Sequence, residues 1–183
     1  MILVNGCSFT SGEESPIAWP RLLDFDVVNI ATAGASNDYI LRSTVDFVDN
    51  HRVDRVIIAW TSPHRIEISN KHLTSGSFRK YGKIVEEVFK DWDEQWAYLK
   101  FLTQIKLLDN YLKDIPHVFV SAFDIQKYAS GVGLDCYLGW PKQGLVEWMG
   151  DCSLGPGGHP LEVGHQLIAD RINEHIRNLG WIS

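Results

Sequence analysis

Four short apolar runs restrict this chain more than any other feature. Each closes in small or hydroxyl-bearing residues and gives way to a stretch of different character. The runs are Ile2-Leu3-Val4, Val27 to Ala31, Asp54 to Trp60 and Val118-Phe119-Val120. Runs this short and this apolar suit strands buried on both faces of a parallel sheet. Between and after them come helical patterns. Pro16 to Leu23 predicts a short helix with Trp19, Leu22 and Leu23 inward. Asp38 to Val48 carries Ile40, Leu41, Val45 and Val48 at helical spacing. Asp91 to Leu112 sets Trp96, Leu99, Leu102, Ile105 and Leu108 on one stripe, and Pro160 to Asn178 closes the chain as an amphipathic helix. Strands alternating with helices predict a three-layer α/β/α fold with a mostly parallel sheet of four to five strands and right-handed crossovers. A length of 183 residues fits a single domain over 1–183.

Two segments interrupt the alternation. Between 61 and 90, Ile66 to Ile68 extends locally and His72 to Gly82 is polar and reads as loop. Residues 125–158 are glycine-rich with little periodicity, which predicts a functional lid or binding loop.

The charge balance excludes some functions. A net charge of −6 offers no basic footprint for a nucleic acid. Cys7, Cys136 and Cys152 form an odd set without metal-ligand spacing. That speaks against a disulfide framework or a zinc module and for a reducing compartment. With no signal-like start and no long apolar stretch, the expectation is a soluble, cytoplasmic protein that uses neither membrane nor metal.

In such sheets ligands bind beyond the carboxyl ends of the strands. Three small-residue loops fall there: Gly6-Cys7-Ser8, the turn at Gly34, and Thr61-Ser62. A strand running through Gly-x-Ser into a helix presents a serine oxygen beside backbone N–H groups, or it simply caps the helix. Cys7 would point away from Ser8 in an extended segment and reads as buried and inert.

These blocks resemble those of the SGNH (GDSL-type) hydrolases. Gly6-Cys7-Ser8 stands in the place of the nucleophile block. Asn29 to Gly34 resembles the block whose glycine N–H joins the oxyanion hole. His159-Pro160, with Gly164-His165 behind it, resembles the block of the catalytic histidine. The resemblance implies a flavodoxin-like SGNH fold and a serine esterase that deacylates a small-molecule or glycan-borne ester without a cofactor. It implies Ser8 as nucleophile and His159 as base. The oxyanion would be held by Ser8, Gly34 and Thr61, and the substrate contacted by Asn37, Ser62 and Arg65.

The chain departs from the pattern in three places. Ala59-Trp60-Thr61-Ser62 replaces the usual Gly-x-Asn-Asp, so a hydroxyl stands in for the asparagine donor. Pro156 takes the position of the aspartate three residues before the histidine. Cys7 replaces the aspartate beside the nucleophile. Asp151 folding back, or a backbone carbonyl, would then have to orient the ring, while Glu162 suits the helix start. Arg65 would otherwise pair with Glu67, and His165 would pack within the last helix. Two alternatives stand beside this reading, the first favoured by the altered blocks. One is a non-catalytic binding module on the same fold. The other is a phosphate-binding loop at Gly6 to Gly12, which lacks the lysine and spacing of a P-loop.

Overall fold

In the computed structural model the described residues are 1–69, 71–74, 81–123, 125 and 135–182. Strand β1 (Ile2–Asn5) leads into a single helical turn, α1 (Ser8–Ser11). Strand β2 (Val27–Asn29), helix α2 (Asn37–Asn50) and strand β3 (Arg55–Trp60) follow. A hairpin of β4 (Ile66–Ile68) and β5 (Lys71–Leu73) comes next. The chain continues through α3 (Lys83–Phe89), α4 (Glu94–Tyr111), β6 (His117–Ser121), α5 (Leu145–Met149) and α6 (Glu162–Asn178).

The main sheet has the order β2-β1-β3-β6, and all its pairs are parallel. Tyr137 adds one further parallel bridge, to Phe119, beyond β6. The sheet is thus the expected parallel one, with four strands and a vestige of a fifth. Leu3, Val4, Ile57, Ile58, Phe119 and Val120 are fully buried, so both faces of the central strands are covered. Trp60 fills the space between Phe101 of α4 and Phe119 of β6, meeting both rings edge-on at 6.0 and 5.6 Å.

Several elements differ from expectation for identifiable reasons. The stripe at 96, 99, 102, 105 and 108 steps by three. Each step falls about 60° short of a full turn, so the series winds off one face. The buried face of α4 instead carries Ala97, Tyr98, Phe101, Leu102, Ile105 and Leu108, while Trp96 and Leu99 are more than half exposed. The segment Pro16 to Leu23 forms a 3₁₀ turn at Trp19–Leu22, with Pro20 in its first turn. His72 and Leu73 lie in β5 rather than in a loop. Leu73 closes a small cluster with Ile66 and Val85 of α3, a helix without a clear sequence signal. The rest of the predicted 72–82 loop falls largely outside the described residues.

The predicted lid at 125–158 also lies partly outside them. Of its described part, α5 is core rather than cover, since Leu145 and Met149 are buried against the main cluster. Pro160 precedes α6 and pairs with Leu154, and Glu162 begins the helix. Within α6, His165 is buried and its Nδ1 accepts the Trp19 N–H, the packing role expected of it. No helix among the described residues is long and apolar enough to cross a membrane.

Candidate active site

The chain leaves β1 to one side for β2 and then crosses back over β1 to β3. A parallel sheet opens a crevice at such a reversal, beyond the carboxyl ends of the flanking strands. Ser8 follows β1 and Thr61 follows β3, so the two stand at the sheet edge where that reversal occurs, both almost fully buried.

Asn5 fixes the turn toward Ser8. Its side-chain amide donates to Ser43 Oγ and Thr44 Oγ1 of α2, each at 2.9 Å, and its Oδ1 accepts the Gly6 N–H at 2.8 Å. The chain then enters α1 at Ser8, with Cys7 as the buried residue before the helix. Ser8 therefore holds the first position of a helix, where the N–H has no intrahelical acceptor. The Gly34 N–H is likewise unused by any backbone carbonyl among the described residues. Gly34 sits at a φ of +76°, a conformation costly for other residues.

Thr61 is almost fully buried, and its hydroxyl has no hydrogen-bond partner among the described residues. Its backbone is clamped by Asn37, whose Oδ1 accepts the Thr61 N–H at 2.9 Å and whose Nδ2 donates to the Thr61 carbonyl at 3.0 Å. Asn37 was expected to touch substrate. Both ends of its amide are instead engaged with Thr61, and Ser36 is the residue that caps α2. Ser62 Oγ accepts the His64 N–H in a local turn. Arg65 donates to the Ala35 carbonyl at 3.4 Å, and its guanidinium lies 5.7 Å from the Phe123 ring centre. Arg65 thereby joins the Gly34 loop to the β3 end, while Glu67 pairs with Arg42.

His159 belongs to the loop before α6, and the carboxylate that meets it is Glu14. His159 Nδ1 lies 3.0 Å from Glu14 Oε2. The same carboxylate accepts the backbone N–H of Gly157 at 2.7 Å and that of His159 at 3.2 Å. These bonds, the Gly157 one foremost, hold the Glu14 carboxyl below the usual carboxylate range. The glycines of this loop make the fit possible. A Cβ at Gly155 or Gly157 would come within about 3 Å of the Glu14 carboxylate. Glu14 itself has a φ of +68°, a sparsely populated conformation for a non-glycine residue.

Glu14 thus sets a carboxylate on the ring, where Pro156 offers none. The sequence does not reveal it, because Glu14 lies 145 residues from the histidine's own loop. Asp151, the candidate considered there, is exposed on a separate groove of about 560 Å³. That groove is also lined by Glu14, Ser15, Pro16, Cys152 and Leu161, but not by Ser8 or His159.

The His159 ring packs 5.6 Å from the ring of Phe9, the neighbour of Ser8, and its Nε2 lies 3.4 Å from Glu13 Oε2. Among the described residues no hydrogen bond joins this ring to the Ser8 hydroxyl. The site therefore holds a serine at a helix start, a histidine with Nδ1 on a carboxylate, and a buried unpaired hydroxyl at Thr61.

No protein-family model matches the chain, and no curated protein matches it in sequence. Solved structures do resemble it. A member of the lipolytic protein G-D-S-L family from Veillonella parvula superposes with a TM-score of 0.53 at 13% identity, covering 94% of this chain and 96% of that one. A carbohydrate esterase family 2 enzyme with a carbohydrate-binding domain, from Corynascus thermopiles (Myceliophthora fergusii), gives 0.53 at 11% identity, covering 98% of this chain and 66% of that one. The chain has the α/β/α fold of these SGNH-type hydrolases.

Proposed function

We propose that the chain is a serine ester hydrolase removing a short acyl group from a small molecule or glycan, with Ser8 as nucleophile and His159 as base. The observation that carries this reading is the Glu14 carboxylate on Nδ1 of His159. A carboxylate there keeps the proton on Nδ1 and leaves Nε2 to act as base. The fold shared with G-D-S-L and carbohydrate esterase structures supports the same reaction class.

In the reaction Ser8 Oγ attacks the acyl carbon while its proton passes to Nε2 of His159. The N–H groups of Ser8 and Gly34 and the Thr61 hydroxyl stabilise the oxyanion. Collapse breaks the ester C–O bond, and the leaving alcohol takes the proton from His159. Water then cleaves the acyl-enzyme by the same steps. No step calls on a cofactor. Nε2, now beside Glu13, must turn to accept from Ser8. Catalytic hydrogen bonds often tighten only when substrate is present.

One observation favours a second reading, a binding module on this fold: the Ser8 hydroxyl and the His159 ring are not hydrogen-bonded. Labelling with a fluorophosphonate separates the two. The hydrolase reading expects covalent modification at Ser8 that is lost in both Ser8→Ala and His159→Ala. A folded wild-type chain that stays unlabelled would leave the binding module standing.

A further inference from the structure

A second cluster lies at the other end of the sheet, where β6 begins. Asp109 comes from the last turns of α4, His117 is the first residue of β6, and Cys136 immediately precedes the Tyr137 bridge to that strand. One ligand atom from each (Oδ1, Nε2 and Sγ) lies within 4.8 Å of the other two. Asp109 Oδ1 is 2.9 Å from His117 Nε2 and 3.4 Å from Cys136 Sγ. All three residues are partly buried.

The surroundings of the imidazole point to a cation. His117 Nδ1 lies 2.8 Å from the Ile115 carbonyl, an oxygen that can only accept. Nε2 faces a carboxylate, which when ionised also only accepts. A neutral imidazole has a single N–H and can satisfy one of these oxygens, so Nε2 must carry either a second proton, in an ion pair with Asp109, or a metal cation. With Nδ1–H on the Ile115 carbonyl, the lone pair of Nε2 is directed at the Asp109 and Cys136 ligand atoms. A ring N–H held by a backbone carbonyl is the outer support that orients metal-bound histidines.

We infer that Asp109, His117 and Cys136 form a three-ligand site for a zinc-type divalent cation, with water as the fourth ligand. Thiolate with imidazole selects such a metal over magnesium or calcium. Tetrahedral bonds of about 2.0–2.3 Å separate ligand atoms by roughly 3.3–3.7 Å. The 2.9 Å pair must therefore open slightly, which Asp109 can do by rotating at the surface. On binding, the Cys136 S–H and any proton on His117 Nε2 pass to solvent, and the sulfur and nitrogen bond the metal. The cation would pin α4, β6 and the chain entering α5 together. It stands apart from Ser8 and from the proposed hydrolysis.

The test is a titration of the chelator-treated full chain with cobalt(II) alone, then displacement by zinc. The site expects one equivalent, a thiolate-to-cobalt charge-transfer band and the intense visible bands of four-coordinate cobalt. These should vanish in Cys136→Ser and persist in Cys152→Ser and His159→Ala. Asp109→Asn keeps the shape and covers the case in which Cys136→Ser fails to fold. Its cobalt affinity should fall by at least the ~10–100-fold that loss of an outer partner costs. Absence of a charge-transfer band in the wild type, or an unchanged band in Cys136→Ser or unchanged affinity in Asp109→Asn, would overturn the site.

Discussion

Glu14 carries two duties on one carboxylate, gripping the Gly157 and His159 backbone and holding the imidazole. The duties separate experimentally. If Glu14 orients the base, Glu14→Gln should lower kcat by about 10²–10⁴-fold with little change in KM, as expected when an interaction acts on the transition state. Equal kcat in both proteins would leave Glu14 a loop anchor alone. The anchor has its own signature. The folded pKa of Glu14 lies below its ordinary value of 4.5. Its contribution to stability is therefore present above that value and is lost as pH falls through the folded pKa. Urea melts of wild type and Glu14→Gln should differ at neutral pH and converge in acid. Thr61 belongs to the same scale. Removing its unpaired hydroxyl with Thr61→Val should cost about 10²-fold in kcat if it donates to the oxyanion, a loss read from steady-state rates.

Two asparagines decide how the elements present the site. Asn5 ties the end of β1 to α2, and Asn37 ties the start of α2 to the residue after β3. Between them, one helix sets the position of both strand ends at the reversal. Asn37→Ala would strip partners from a buried N–H and a buried carbonyl of Thr61, at about 1–3 kcal/mol for each group left unpaired. Chemical denaturation should show that loss, and activity should fall with it because Thr61 is no longer held. Asn37 was legible in the sequence as a polar residue at the right edge. Its partner was not, because a side chain's bonding follows from which loop packs across from it.

The fold as a whole should weaken in mild acid. His165 is fully buried, accepts the Trp19 N–H at Nδ1, and has no acceptor for Nε2 among the described residues. Burial, with some repulsion from His159, lowers its pKa from 6.5 to about 4. The unfolded chain thus binds a proton between these values that the folded chain refuses, so stability falls as pH drops below 6.5. Between pH 7 and pH 5 this ring alone should remove about 2 kcal/mol, and His72 and His175 shift in the same direction. Denaturation midpoints across that range measure the effect, and a flat profile would mean that His165 finds a partner or solvent when charged.

The architecture is written in the local pattern of the chain. Runs such as Ile2 to Val4 and Val118 to Val120 are too apolar for any place but a sheet covered on both faces, and strand followed by helix leaves few ways to connect them. That pattern also marks where Ser8, Gly34, Thr61 and His159 fall along the chain, since each stands in a small-residue loop at the end of a strand or before the last helix. Tertiary structure decided what those residues meet. Glu14 reaches His159 across 145 residues of chain, and Asp109, His117 and Cys136 gather from a helix, a strand and a loop. Local patterns record which face of an element is buried, because that depends on the helical or strand repeat. They hold no record of which distant loop arrives opposite, because that is set only when the layers pack.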